Sequence, residues 1–378
     1  MPSNARAPAL RGVFCLNRDM IHNAARLKEG GGFPRRLVKL AFMRILTAMC
    51  AFLLLTPSAL GMLAVSALDE DGAERIFLVA PETGEKEPLT EGPGDHAPSW
   101  SPDGAQIAFE RHSEDGVHIM VARTDAPGEA RALRHEVSSW NEAPRWSPDG
   151  SRLIYSVGRP LAQQAAVYEL ETDEETLWGG GREGLLQPVW ARAAEALALA
   201  LVGEPGRDLT TAIVIVTEDA YETIPIPEGG QRYFEWNVAP RPGAVDTIAF
   251  ESNDGGFRDI FMLSEADGLV DVSNHRRADW NPRWSPDGQW IAFESFRDGA
   301  RGVYRVLLET LRVQPVAVAA DYDYWAPAWS PDGARIACLA NPDGNPVLFI
   351  ATADGSSVEE TAPGLRVTGP PAWRPEAP

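Results

Sequence analysis

The sequence predicts an all-β protein, a seven-bladed β-propeller of four-stranded blades, and three observations support this prediction. The string WSPDG occurs four times, starting at Trp100, Trp146, Trp284 and Trp329. An apolar triplet follows each copy at the same offset, and an alternating apolar segment follows each triplet, as β-strands require. The spacing recurs about every 45 residues across most of the chain. A repeat of this length is typical of propellers, in which each repeat is one supersecondary unit.

Equivalent tryptophans mark seven repeats. They are Trp100, Trp146, Trp190, Trp236, Trp284, Trp329 and Trp373. The repeat of Trp190 lacks the SPDG turn but keeps an apolar triplet, Leu197 to Leu199, at the right offset. The repeat of Trp236 keeps its triplet, Ile248 to Phe250, only after an insertion that contains Pro240, Pro242 and Gly243. We therefore assign all seven tryptophans to the structural repeat.

The two ends of the chain together complete one blade. Trp373 lies five residues before the C-terminus, so no strands follow it. The missing strands match the segments 63–65, 75–79 and 88–90 at the other end of the repeat region. Pairing the terminal segments closes the ring and removes the exposed edges that an open sheet would present. We expect the propeller to be closed in this way.

The SPDG string suits a tight turn rather than a catalytic site. Proline presets φ at the second position, aspartate bonds to the local backbone, and glycine accepts a positive φ. The preceding tryptophan is large enough to fill the wedge between adjacent sheets. We therefore interpret both the aspartate and the tryptophan of each repeat as structural.

The string xPxWSPDGxxIAFxS resembles the repeat of the TolB-like β-propeller family, which is similar to WD repeats. The resemblance covers residues 62–378 and implies radial four-stranded blades around a central channel. TolB itself has six blades and an additional N-terminal domain, for which this chain leaves no room after its leader. We therefore expect a TolB-like propeller that is not TolB itself.

The first 61 residues differ from the rest in charge and hydropathy. Residues 1–60 carry nine Lys/Arg against two Asp/Glu, whereas the remainder carries 25 against 52 and a net charge of −27. We expect residues 1–42 to be a disordered basic leader or the product of a mis-assigned start. Residues 43–61 have a positive start, an apolar run and small residues at the end, as in a cleaved signal peptide. This predicts a periplasmic or secreted protein, and the alternative is a retained membrane anchor on the extracytoplasmic side.

The acidic body argues against nucleic acid as a partner, because recognition of phosphates depends on Lys and Arg. Cys15 and Cys50 lie in the leader, so Cys338 is the only cysteine of the body and no intrachain disulfide can form there. We expect a monomer that contacts a membrane only through its leader segment and that binds a protein of the cell envelope.

Candidate ligand-binding residues lie in the loops that lead into the first strand of each blade, where aromatic and acidic side chains are interleaved. They are Asp95, His96, Trp140, Glu142, Asp279, Trp280, Asp323 and Trp325. Loops on a rigid scaffold commonly carry function, and aromatic faces attract cations. The alternative is that the tryptophans cover blade junctions and the acids are only solvated.

The sequence gives little support for an enzyme. It has no GxSxG nucleophile elbow and no room for a hydrolase domain. The five histidines of the body show neither HxH nor HExxH spacing. We therefore predict no catalytic residue, no metal and no cofactor beyond weak calcium binding at turns such as 341–345. The alternatives are a carbohydrate-binding or metal-dependent polysaccharide lyase propeller, and a purely structural module held by an uncleaved anchor.

Overall fold

The computed structural model describes residues 61–376, apart from 193–194, 205–206, 227–234, 245 and 254–255. These residues form seven antiparallel sheets, which confirms the seven-bladed β-propeller. Within the described ranges, no helix has the length and apolar character needed to cross a bilayer. The predicted leader and hydrophobic segment, up to Leu60, lie outside these ranges.

Six blades are continuous in sequence, and each runs from its innermost strand outward. Blade 1 contains β4 (Asp95–Trp100), β5 (Gln106–Ser113), β6 (Gly116–Arg123) and β7 (Ala130–Ala132). Blade 2 contains β8 (Asn141–Trp146), β9 (Arg152–Val157), β10 (Gln164–Glu169) and β11 (Glu174–Trp178). Blade 3 contains β12 (Leu185–Arg192), β13 (Glu195–Glu204), β14 (Arg207–Val216) and β15 (Tyr221–Thr223).

The remaining continuous blades follow the same order. Blade 4 contains β16 (Glu235–Pro240), β17 (Ile248–Ser252), β18 (Asp259–Ser264) and β19 (Gly268–Asp271). Blade 5 contains β20 (Asp279–Trp284), β21 (Trp290–Ser295), β22 (Gly302–Leu307) and β23 (Arg312–Ala317). Blade 6 contains β24 (Tyr324–Trp329), β25 (Arg335–Ala340), β26 (Val347–Thr352) and β27 (Val358–Thr361).

Blade 7 is built from both ends of the described chain, as the sequence predicts. Its N-terminal strands are β1 (Leu63–Leu68), β2 (Glu74–Val79) and β3 (Lys86–Pro88), and its C-terminal strands are β28 (Arg366–Val367) and β29 (Ala372–Trp373). Both C-terminal strands pair antiparallel with β1, so they supply the innermost part of the blade. The ring is closed by this pairing.

A β-bulge interrupts the innermost strand of each continuous blade. The pairing register shifts between the second and fifth residues of these strands. The third residue adopts a positive φ between 49° and 58° in all six. In blade 7 the equivalent residue is Pro370, whose ring locks φ at a negative value. The innermost strand of blade 7 is correspondingly split into β28 and β29.

The sixth residue of the innermost strand, which we call the register position, joins neighbouring blades. Trp284 packs in one buried cluster with Ala249 and Met262 of blade 4, and its Nε1 donates a 2.8 Å hydrogen bond to the Ala239 carbonyl of that blade. Five other register tryptophans donate to the fifth residue of the preceding blade over 2.9–3.0 Å. The donors are Trp100, Trp146, Trp190, Trp329 and Trp373.

The SPDG turns have the geometry predicted for them. In blade 5, Ser285 donates its hydroxyl hydrogen to the Asp287 carboxylate at 2.5 Å, and that carboxylate accepts the backbone N–H of Gln289. Gly288 has a φ of +66° and donates to the Ser285 carbonyl. The turns at Ser101, Ser147 and Ser330 repeat these bonds. The aspartates are therefore held as turn acceptors.

Blade 4 differs from the sequence prediction at its register position. Trp236 pairs with Glu251, as Trp280 of blade 5 pairs with Glu294, and Pro240 pairs with Ile248, as Trp284 pairs with Ile291. Trp236 is therefore the second residue of its strand, and Pro240 takes the register position. The connection from Pro240 to the triplet is one residue longer than that from Trp284 in blade 5, and it lacks SPDG. The distance to the triplet therefore did not show that Pro240, and not Trp236, takes the register position.

We expect Trp329→Phe to lower the free energy of unfolding by about 0.5–1.5 kcal/mol, because the ring stays but the bond to the Arg283 carbonyl is lost. Trp329→Ala should cost about 3–5 kcal/mol, because it also empties the wedge between blades 5 and 6. Urea unfolding measures both. Trp290→Phe is the matched control, because no described residue accepts a hydrogen bond from its indole. Equal costs for Trp329→Phe and Trp290→Phe would contradict a stabilising role for the bond.

Candidate functional site

The innermost strands divide the candidate site into a rim and a channel. The second residue of each strand lies where the strand begins, and we call these residues the rim positions. They are His96, Glu142, Leu186, Trp236, Trp280 and Trp325, all half-buried. The fifth residues, which we call the channel positions, are Ser99, Arg145, Val189, Ala239, Arg283, Ala328 and Ala372. A cavity of about 420 Å³ contacts several channel positions and identifies the central channel.

Two predicted ligand-binding carboxylates are not on the surface. Asp95 and Asp279 are fully buried at the first position of β4 and β20. Asp95 pairs with Arg111 at 2.7 Å, and Asp279 pairs with Arg297 at 3.0 Å. Arg111 lies on the second strand of blade 1, and Arg297 lies two residues after the second strand of blade 5. Each ion pair therefore ties the innermost strand to the second strand or to the loop that follows it. These carboxylates link parts of one blade and do not face solvent at the rim.

The other predicted residues of blades 1 and 2 have local side-chain partners. The rings of His96 and His112 are in contact at a tilt of 49°, with centroids 4.3 Å apart, and Nδ1 of His96 lies 3.1 Å from Glu74. His112 was not predicted, because it lies on the second strand. In blade 2, Trp140 Nε1 donates to Glu142 at 2.8 Å, and Gln163 donates to the other oxygen of the same carboxylate. These side chains therefore form local hydrogen-bonded groups at the rim.

Three tryptophans occupy the rim positions of consecutive blades 4, 5 and 6, and we call them the Trp arc. They are Trp236, Trp280 and Trp325. The guanidinium of Arg258 lies 4.3 Å from the Trp236 ring and 6.0 Å from the Trp280 ring, so it bridges two members of the arc. Arg301 lies 5.8 Å from the ring of Trp325. The sequence predicted two members, and the corrected register of blade 4 adds Trp236.

Buried glutamates fix the arginines of the Trp arc. Glu251 and Glu294 follow the apolar triplets of blades 4 and 5 and are at most 1% exposed. Glu251 accepts hydrogen bonds from Arg258 and from the backbone N–H of Asn281 at the bulge of the next blade. Glu294 does the same for Arg301 and the N–H of Ala326. Each glutamate thus ties a rim arginine to the neighbouring blade.

Asp323 belongs to a second opening on the same face. Its carboxylate accepts the backbone N–H of Arg301 at 2.9 Å, and its own N–H donates to the Asn341 side chain. A cavity of about 410 Å³ lies beside it and includes Asp321 and Tyr322. Loops of blades 5 and 6 meet here.

Arg145 and Arg283 are the charged channel positions, and the sequence analysis missed both. They lie in blades 2 and 5 and contact the same cavity. Arg145 is exposed and Arg283 is half-buried, so both guanidinium groups remain accessible. Partial burial and the charge of Arg145 lower the pKa of Arg283 to about 10. The sequence did contain a signal for both arginines, because each directly precedes a register tryptophan. Their meeting in the channel follows only from closure of the ring.

Comparison with known proteins supports the same family as the repeat. Residues 262–378 match the model of the TolB β-propeller domain. Over 90 residues the chain is 31% identical to the Tol-Pal system protein TolB of Syntrophus aciditrophicus, covering 22% of this chain and 18% of the relative. The chain therefore spans less than a fifth of that curated relative. The structure of TolB from Acinetobacter baumannii superposes with a TM-score of 0.54 at 15% identity, covering 91% of this chain and 74% of the other.

Residues 262–378 are similar to the TolB β-propeller domain, and we call the propeller TolB-like on that basis.

Propellers of enzymes have the same fold as this TolB-like propeller. The β-propeller domain of the Trilobed protease from Pyrococcus furiosus superposes with a TM-score of 0.60 at 13% identity, covering 81% of this chain and 97% of that chain. Oligogalacturonate lyase from Vibrio parahaemolyticus gives a TM-score of 0.56 at 16% identity, covering 80% and 86%. Identities this low show the fold alone. In the part of the chain that the structure describes, no group of three or more His, Cys, Asp or Glu could hold a metal ion.

A buried acidic pair lies at the junction of blades 4 and 5 in this TolB-like propeller. Asp259 begins β18 and is 6% exposed. Burial, with the charges of Asp271 and Asp279 nearby, raises the pKa of Asp259 to about 6. Burial also raises the pKa of Asp279. The folded protein therefore holds a proton at Asp259 at pH values where the unfolded chain has released it.

We expect Asp259→Asn to change how stability depends on pH. The folded pKa lies above the unfolded value, so the wild type loses stability as pH rises from about 4 to about 6. The variant has no such loss, and its advantage over the wild type should grow by at most about 3 kcal/mol across this window. Urea midpoints at a series of pH values measure the difference.

Asp149→Asn is the contrasting variant, because hydrogen bonds from Ser147 and Ser151 lower the pKa of Asp149 to about 2. The stability that Asp149 contributes is present above its unfolded pKa and is lost as pH falls towards 2. Asp149→Asn should therefore be less stable than the wild type at pH 6. A pH profile of Asp259→Asn parallel to that of the wild type would contradict the assignment.

Proposed function

We propose that this TolB-like propeller is an exported, non-enzymatic scaffold that binds a protein of the cell envelope through the rim of its channel. The Trp arc is the observation that carries this proposal. Three half-buried tryptophans occupy equivalent positions on consecutive blades, so their spacing is set by the blades rather than by loops. Rigid elements hold binding groups more accurately than loops do. In this proposal the propeller is a monomer, and its partner binds on this one face.

The chemistry of the Trp arc suits a protein ligand. Tryptophan and arginine are the residues that most often dominate the energy of protein interfaces. Here the arginines are already held by Glu251 and Glu294, so little side-chain freedom is lost on binding. Half-buried rings offer apolar area together with an indole donor. A segment of a partner protein that lies across blades 4 to 6 would contact all three rings.

The relationship to TolB supports the cell envelope as the location, and the hydrophobic segment 43–61 supports export. We infer cleavage after Gly61 because Leu63 begins β1, which pairs with both C-terminal strands and is needed in the mature protein.

We therefore expect mass spectrometry of the protein purified from its native host to find an N-terminus at Met62. Arg44→Glu with Leu53→Arg, which removes the positive start and breaks the apolar run, should leave the protein unprocessed. A wild-type N-terminus upstream of Met43 would contradict cleavage, and an intact hydrophobic segment in the membrane fraction would favour the anchor.

The second candidate is a carbohydrate-binding or lyase-type propeller, which one observation favours. Indole faces stack on apolar surfaces, and sugar rings have such surfaces, so the Trp arc could also hold an oligosaccharide. The experiment on the Trp arc therefore has to distinguish the two classes of ligand.

We expect a photoreactive benzoylphenylalanine at Trp280 to crosslink a protein in intact native cells. Mass spectrometry of the adduct identifies its chemical class. Trp236→Ala and Trp325→Ala, each in this background, should lower the adduct yield about tenfold or more, because loss of a central aromatic contact costs about 2 kcal/mol or more.

Benzoylphenylalanine at Trp290 is the matched control. Trp290 is also half-buried and has an arginine, Arg305, 3.9 Å from its ring, but it lies next to the SPDG turn at the other end of the blade. It should give no adduct with the same protein. Recovery of only an oligosaccharide from position 280 would support the second candidate, and equal protein adducts at both positions would contradict the rim as the binding surface.

A further inference from the structure

The central channel contains two guanidinium groups without a carboxylate partner. Arg145 and Arg283 each donate one hydrogen bond, at 3.0 Å, to the carbonyl of the preceding proline. Among the described residues, no carboxylate lies within 4.0 Å of either guanidinium. Ten other arginines of the described chain form ion pairs with carboxylates.

The acids that act on the two arginines at longer range do not bond to them, because each is hydrogen-bonded to other donors. Glu110 influences Arg145, but its oxygens accept from the Ala143 N–H and lie 3.0 Å from His112. Glu251 and Glu294 influence Arg283, but they bind the rim arginines and the bulge N–H groups of the next blade. Two like charges therefore share one cavity, and each makes the other less favourable.

The two arginines are the main recognition groups of the channel, because the other side chains that line it offer few polar atoms. Beside them the cavity of about 420 Å³ is lined largely by proline, alanine and tryptophan, which offer few side-chain donors. This volume lies in the range of small-ligand sites. A planar guanidinium presents paired N–H groups that match the two oxygens of a carboxylate. An anion that enters would gain two charge-assisted contacts and relieve the repulsion between the arginines.

We propose that Arg145 and Arg283 form a carboxylate-binding site in the channel, filled by a carboxylate of the protein segment that docks on the Trp arc. The peptide origin of the carboxylate rests on the proposed function, whereas the site itself does not. The bulge residues Asn281 and Ala326 line the same cavity and directly follow two members of the Trp arc in sequence. The cavity that holds the two arginines therefore extends to the residues next to the Trp arc.

Three N-acetylated tripeptides test the site, with dissociation constants from ligand-detected NMR at constant ionic strength. N-acetyl-Gly-Gly-Gly has a terminal carboxylate, N-acetyl-Gly-Glu-Gly-amide has a side-chain carboxylate, and N-acetyl-Gly-Gly-Gly-amide has neither. We expect at least one carboxylate peptide to bind and the amide not to bind. Binding of only the first assigns the site to a chain terminus, and binding of only the second assigns it to an acidic side chain.

Arg145→Gln and Arg283→Gln should each weaken carboxylate binding about tenfold or more, since a hydrogen-bonded charge is lost. Arg283→Lys, which keeps the charge, should lose less. Arg123→Gln is the control, because Arg123 is exposed and paired with Asp125. Thermal unfolding verifies that each variant is folded. It offers a second measurement, since removing either channel charge should raise the melting temperature of the peptide-free protein by relieving the repulsion.

Binding of neither carboxylate peptide, binding that survives in both glutamine variants, or equal binding of inorganic phosphate would overturn the carboxylate site. The two proposals can fail separately. Tripeptide binding without a protein adduct at Trp280 would leave the channel site and remove the proposed partner. A protein adduct that persists in Arg283→Gln, with no tripeptide binding by the wild type, would leave the scaffold and remove the channel site.

Discussion

The hydrogen bond from a register tryptophan to the backbone of the preceding blade is the interaction on which the ring depends. Its acceptor is always the carbonyl of a channel position. That position lies 45 to 47 residues earlier in the sequence, except for Trp100, which donates to Ala372 in the C-terminal segment. The bond therefore fixes the backbone of the residue whose side chain lines the channel, whatever that side chain is. Ser99, Arg145 and Arg283 all accept it. Only main-chain atoms of the channel positions take part in the bond, so their side chains are free to vary.

The junction between blades 3 and 4 shows that this bond can be replaced. Pro240 has no donor for the Val189 carbonyl, and other contacts hold the junction instead. Thr211 and Glu235 exchange two hydrogen bonds, from the threonine hydroxyl to the glutamate carbonyl and from the glutamate N–H to the hydroxyl. Leu199, Ile213 and Phe250 pack in one buried cluster across the same junction. Apolar burial is not directional. The packing at this junction therefore stays favourable without the oriented hydrogen bond that the other junctions have.

The sequence was sufficient for the blade number, the closure and the turns, because these depend on spacing and on residues with special φ. It was not sufficient for Trp236, because tryptophan occurs at two positions of the innermost strand and only the SPDG turn distinguishes them. Asp95 and Asp279 were predicted as ligand-binding residues because they precede the motif, but each is buried against an arginine that folding of the blade brings alongside. Arg145 and Arg283 are 138 positions apart, and only the closed ring places them in one cavity.

The charge of the channel is opposite to that of the body, and this contrast limits what can reach it. Residues 61–378 carry a net charge of −27, so the outer surface repels anions at long range. That repulsion is screened over about 8 Å at physiological ionic strength, whereas a partly buried charge such as that of Arg283 is screened less at short range. A free anion gains nothing from the field until it is inside the channel. A carboxylate carried by a segment already bound at the Trp arc is held there by other contacts, so the arginines act as a second, short-range requirement on the partner.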